Sequence, residues 1–220
     1  MHFEVLVEDP SGKKALDILI PKIIGEGNSF KVIEHHGIGH IPKNMKSAKE
    51  ASNRHLLNRL PKLLQAYGKT FAGYPPQYPA AVIVVCDLDD RTLTTFRDEL
   101  NAILDACNPK PTAKFCLAIE EGEAWILGDI PAIKTAYPNA KDAVLCKYVN
   151  DSICGTWELL ADAVHLGGSG KLASQGHRII GEAKSGWAAN ICPNMDVDSN
   201  RSPSFALFRD TIRQLAGMSA

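Results

Sequence analysis

The chain contains no apolar run approaching the roughly 18 residues of a membrane span, which argues against a transmembrane helix. It has no cysteine pair spaced C-x-x-C among Cys86, Cys107, Cys116, Cys146, Cys154 and Cys192. Two of these, Cys86 and Cys116, lie in apolar strand-like runs, so buried free thiols are expected rather than disulfides or a zinc site. Charge of one sign is missing too: 24 Lys and Arg face 25 Asp and Glu, a formal net charge of −1. Overall charge therefore points to neither a nucleic acid nor a membrane surface, and only its distribution is informative. The N-terminus turns acidic at Glu4 and Glu8, unlike the basic-then-apolar start of a signal peptide, so a cytoplasmic location is expected. Internal repeats and low-complexity tracts are absent.

What is present is enough apolar residue, 45% of 220 positions, to bury a substantial core in one domain with elaborations. Phe3–Val7 reads as a buried strand stopped by Pro10. Ser11 is the expected N-cap of a helix whose face carries Ala15, Leu16, Leu19, Ile20 and Ile23, with Pro21 kinking or shortening it. Phe30–Ile33 is a second strand and His35–Gly39 a glycine-spaced loop. A helix is expected over Ser47–Ala66, with Pro61 as a potential break, followed by a proline-rich connector at Tyr74–Pro79. Ala80–Cys86 is apolar on both faces, as in a central parallel strand. An amphipathic helix over Arg91–Ala106, a strand at Phe115–Ile119 and a helix over Glu121–Leu127 follow. Beyond Asp129 the chain reads as helical, with Ser202-Pro203 opening a last helix. Strands alternating with helices predict an α/β fold around a mostly parallel sheet.

Ligands of such sheets gather outside the carboxyl ends of the strands. Three strands end there in acid: Glu8-Asp9, Asp87-Leu88-Asp89-Asp90, and Glu120-Glu121-Gly122-Glu123. Carboxylates brought that close repel unless a cation shares them, and oxygen ligands suit Mg2+ or Mn2+. A single acid after a strand is more often a helix cap or turn residue, the reading that fits Asp9 and Asp90 taken alone.

A hydrophobic strand ending in Glu, then a later one ending in Asp-x-Asp, resembles the TOPRIM fold of topoisomerases, primases and overcoming-lysogenization-defect nucleases. The chain is also similar to a TOPRIM-like bacterial family related to those nucleases. The likeness lies in Val5–Ser11, Ile83–Asp90 and Ala118–Asp129, including Glu123-Ala124-Trp125, and continues weakly through Asp151–Glu158 and Ser202–Arg209. Asp9 stands where many TOPRIM domains have Gly, and the long Glu8–Asp87 separation implies an insertion at about 35–79. The resemblance implies a TOPRIM-like (Rossmann-like) metal-binding domain over 1–129 and a helical C-terminal elaboration over 130–220 packed on it. It implies that Asp87 and Asp89 hold a divalent ion, that Glu8 is a further ligand or a general acid/base, and that Glu123, or else Glu120 or Glu121, completes a second metal position. The implied activity is metal-dependent phosphodiester hydrolysis, a nuclease of bacterial anti-phage or mobile-element defence, associated with an AAA-type ATPase.

The distribution of charge agrees with a polyanionic partner, DNA or RNA. Residues 35–72 hold Lys43, Lys46, Lys49, Arg54, Arg59, Lys62 and Lys69 against Glu50 alone, a balance of +6. Lys43, Lys46, Lys49 and Arg54 are the expected backbone-phosphate contacts, against the blander reading of a solvated helix face. His35-His36-x-x-x-His40 lacks a fourth zinc ligand at a familiar spacing. Gly167-Gly168-Ser169-Gly170-Lys171 fails as a phosphate loop, having His165 for the first glycine and Leu172 for the metal-binding hydroxyl, and is expected to be a turn. Trp125 and Trp157 are expected in the core rather than as base-stacking platforms. Rival functions are a phosphotransferase or phosphatase acting on a small phosphorylated molecule, and a non-catalytic subunit of an ATPase complex.

Overall fold

The computed structural model describes residues 1–42 and 55–218. Its centre is a four-stranded sheet, all parallel, in the order β2-β1-β3-β4. The strands are β1 (His2–Val7), β2 (Ser29–Glu34), β3 (Ala80–Asp87) and β4 (Ala113–Ala118). Helix α1 (Pro10–Ile24) links β1 to β2, α2 (Leu56–Ala72) lies between β2 and β3, and α3 (Leu93–Asp105) links β3 to β4. The chain thus moves one way from β1 to β2 and the other way from β2 across to β3 and β4. Right-handed crossovers that run in opposite directions put their helices on opposite faces of the sheet. The packing follows that rule. Phe3, Val5, Ile83 and Val85 meet α1 on one face, while Leu6, Val82, Val84 and Cys86 meet α2 and α3 on the other. Both central strands are therefore covered twice, which is why they are apolar at nearly every position.

The remaining helices are α4 (Glu123–Leu127), α5 (Ile130–Ala136), α6 (Asp142–Leu145), α7 (Thr156–Val164), α8 (Gly168–Ala173), α9 (His177–Ile191) and α10 (Pro203–Leu215). They lie on the α1 side. Helix α9 packs on α1, and α10 packs against β4. One continuous apolar cluster joins Phe3 and Leu16 to Trp187, Phe205 and Phe208. The fold is therefore α/β, a parallel sheet flanked by helices in a Rossmann-like arrangement. No helix among the described residues is long and apolar enough to cross a membrane.

Several local expectations are corrected. The N-cap of α1 is Asp9, not Ser11: Asp9 Oδ1 accepts the Gly12 amide at 2.7 Å and Pro10 takes the first turn. Pro21 lies inside α1 without ending it, because Leu19, Ile20, Ile23 and Ile24 on either side are buried and hold the last turn in place. Pro61 likewise sits inside α2, flanked by buried Leu60 and Leu64. The helix expected over Ser47–Ala66 is observed from Leu56 to Ala72; positions 47–54 lie outside the described residues. Ser202 caps α10 through a bond from the Phe205 amide, with Pro203 in its first turn, as expected.

Candidate functional site

The order of the strands makes β1 and β3 neighbours whose onward connections depart in opposite directions, and such a switch point opens a crevice at the carboxyl ends. Val7 pairs with Val85, and Asp87 pairs with Ala118. Glu8 and Asp87 therefore emerge side by side at that crevice. Their side chains share a hydrogen bond. Burial drives both carboxyls up, Glu8 to about 7 and Asp87 well above the usual carboxylate range. For Asp87 the charge of Glu8 adds to the effect. For Glu8 the hydrogen bond opposes it, and the charges of Asp9 and Asp89 reinforce it. At neutral pH such a pair holds a shared proton, since two ionised carboxylates in contact repel. Glu8 Oε2 is buried and accepts no N–H, so beyond the Asp87 carboxyl it has no donor facing it.

The third acidic strand end is divided between structure and site. Glu120 adopts φ 63° and its carboxylate accepts the backbone amides of Cys154, Gly155 and Thr156 at 3.3, 2.8 and 2.9 Å. It anchors the start of α7 and is fully engaged there. Glu121 is half-buried, and burial pushes it up to about 7. Gly122 lies beside Asp87, where an added Cβ would make an ordinary van der Waals contact with Oδ1 at 3.9 Å. Glu123, at the start of α4 and only 4% exposed, points back into the crevice. Trp125 points away: its Nε1–H donates to Ser204 Oγ at 2.9 Å, and its ring stacks on Phe208 with centroids 4.8 Å apart. It is a core residue, as expected, and Trp157 packs against the same core.

Asp89 stands apart from this buried group. Its backbone takes the left-handed conformation at φ 51°, and its amide donates to Glu120 O. The carboxylate, 42% exposed, accepts from Arg91 Nη1 at 3.0 Å. Arg91 in turn lies over the Phe96 ring at 4.8 Å. Asp89 acts on Glu8 through its charge, from the rim of the crevice.

A basic residue that the sequence reading overlooked completes the crevice. Lys184, from α9, places its ammonium 2.9 Å from Glu123 Oε2 and 3.7 Å from Glu121 Oε2. Burial works against its charge, but Glu123, Asp87 and Glu121 outweigh it and raise Lys184 above the usual lysine range. A cavity of about 40 Å³ lies among Glu8, Asp87, Glu123 and Lys184, floored by Leu16 and Leu19. Gly12 lies at its wall, where a Cβ would come 2.6 Å from Val7 Cγ2. No set of three or more His, Cys, Asp or Glu among the described residues already converges as a metal cage.

The other sequence-level candidates lie elsewhere. Lys43, Lys46, Lys49 and Arg54 fall outside the described residues, while Arg59, Lys62 and Lys69 are exposed on α2. His35 is buried, His36 and His40 exposed. The Gly167–Lys171 segment, expected as a turn, instead opens helix α8: Gly167 is its N-cap at φ 95°, Gly168 follows at φ 68°, and Asp162 Oδ1 accepts the Ser169 amide at 2.7 Å. No family model, curated protein or solved structure matches this chain.

Proposed function

We propose that the chain is a TOPRIM-like, metal-dependent phosphodiesterase, a nuclease acting on DNA or RNA in bacterial anti-phage or mobile-element defence. The observation that carries this reading is the partly buried Glu8–Asp87 carboxyl pair at the switch point, with the enclosed Glu8 Oε2 accepting no N–H. The residues fit a hard divalent cation, Mg2+ or Mn2+. The donors are carboxylate oxygens, one of them orphaned, and the adjoining cavity of about 40 Å³ has room for an ion with a water or two. Glu8 and Asp87 would hold the ion, with Asp89 reaching it from the rim once released from Arg91. A divalent ion bound there supplies a Lewis acid and lowers the pKa of a coordinated water.

The protein side of the chemistry is a matter of charge and protons. Glu8 and Asp87 must give up their shared proton before they act as ligands, so occupancy is linked to pH. Glu8, with its pKa near 7, sits in the range where a carboxyl exchanges protons at neutral pH. Lys184 and Arg91 supply positive charge at either side of the crevice for a phosphate. The basic segment that contains Lys43, Lys46, Lys49 and Arg54 supplies the backbone attraction that a polymer substrate needs. An AAA-type ATPase partner belongs to the same reading and rests on the resemblance alone.

The test is to incubate the purified protein and Asp87→Asn with Mn2+ and mixed single- and double-stranded DNA and RNA. Cleavage by the wild type that stops with chelator and is lost in Asp87→Asn is expected. Cleavage that survives chelator, or that Asp87→Asn retains, would refute the assignment.

A further inference from the structure

Lys184 reaches the crevice from α9, far along the chain from the acidic strand ends, and is almost fully enclosed there, its side chain 13% exposed. Its ammonium lies at ion-pair distance from Glu123 Oε2, which is buried and has no hydrogen-bond partner of another kind. Glu121 Oε2 stands 3.7 Å away on another side. A pair of catalytic divalent ions sits about 3.5–4 Å apart and needs carboxylate bridges or ligands on both. At this site the carboxylate beyond Glu8 and Asp87 is Glu123, and the chain's own cation already occupies it.

We propose that Lys184 is a built-in second cation: the site takes a single divalent ion, at Glu8 and Asp87, while the ammonium permanently holds Glu123 and Glu121. This rests on the metal reading given above and adds the number of ions to it. Charge supports it. Four carboxylates, Glu8, Asp87, Glu121 and Glu123, interact with this ammonium. Lys184 with one divalent ion leaves these four carboxylates at a net charge of about −1, whereas two ions beside the lysine would bring them to about +1 before any phosphate arrives. Space agrees, since a cavity of about 40 Å³ accommodates one partly hydrated ion more readily than two. A lysine here also confers an advantage that a second metal cannot: it is covalently attached, so Glu123 stays paired at any metal concentration.

The experiment counts Mn2+ by isothermal titration calorimetry in metal-free wild type, Lys184→Met and Lys184→Arg, with circular dichroism as the check on folding. About one ion per chain is expected for the wild type and for Lys184→Arg, and about two for Lys184→Met, whose vacated carboxylates recruit the second. Two ions in the wild type, or one in a folded Lys184→Met, would overturn the proposal. If Lys184→Met does not fold, the count in wild type and Lys184→Arg decides: one supports the proposal, two overturns it. No binding in the wild type overturns the proposal together with the metal reading, whereas a count of two leaves the metal reading standing.

Discussion

Glu8→Gln should make the metal-free protein more stable at alkaline pH, and the gain can be worked from the structure. Glutamine has the shape of a protonated glutamate, and its amide oxygen still accepts the hydrogen bond that Asp87 donates. In the wild type Glu8 rises from 4.5 to about 7, chiefly through burial. Below pH 4.5 both folded and unfolded chains hold this proton, and the substitution changes little. Between 4.5 and about 7 the folded chain holds it and the unfolded chain does not, so stability falls as pH rises; above about 7 the loss is complete. That interval corresponds to about 3 kcal/mol. Glu121 is raised to about 7 as well, so some pH dependence persists in Glu8→Gln, and the difference between the two proteins isolates Glu8. Urea denaturation in chelator at pH 4.5 and pH 8 measures it. Near-equal stability at the lower pH and a Glu8→Gln advantage of about 3 kcal/mol at the higher are expected. Adding Mn2+ at pH 8 should reverse the order, because the ion stabilises only the protein that can bind it. Parallel pH profiles for the two proteins would refute the claim that Glu8 is a partly buried, proton-holding carboxyl.

Trp125→Ala should cost about 3–5 kcal/mol of unfolding free energy, the usual range for emptying a buried aromatic site, with Mn2+ affinity unchanged in the fraction that folds; a loss below about 1 kcal/mol would contradict its packing on Phe205 and Phe208. Replacing Lys43, Lys46 and Lys49 together by Gln should flatten the log–log salt dependence of nucleic-acid binding by up to about three, near one per phosphate contact; an unaltered slope would return these lysines to a solvated face.

The sheet was legible because burial on both faces leaves a plain mark: Ala80–Cys86 is apolar throughout, and β3 is observed at Ala80–Asp87. The acids at strand ends were legible too, but their division of labour was not. Glu120 is committed to the amides that open α7, and nothing near it in sequence announces that Cys154–Thr156 will arrive there. Lys184 was invisible for the same reason, since only the packing of α9 on α1 brings it to Glu123. Asp89 carried a readable warning, an arginine two positions on that takes its carboxylate. The cap of α1 was readable as well. The rule that makes Ser202-Pro203 a cap and first turn applies equally to Asp9-Pro10, and Asp9 is the cap.

Titrating Mn2+ into the metal-free wild type and into Asp87→Asn at pH 8, where the Glu8–Asp87 proton is most easily given up, puts the metal site itself to the test. The wild type should bind saturably, and Asp87→Asn should bind at least about 100-fold more weakly, beyond the 10–100-fold that loss of a mere supporting group costs, with an unchanged circular dichroism spectrum. Equal affinity in the two proteins would place the ion elsewhere and contradict the account of Glu8 and Asp87 as its ligands.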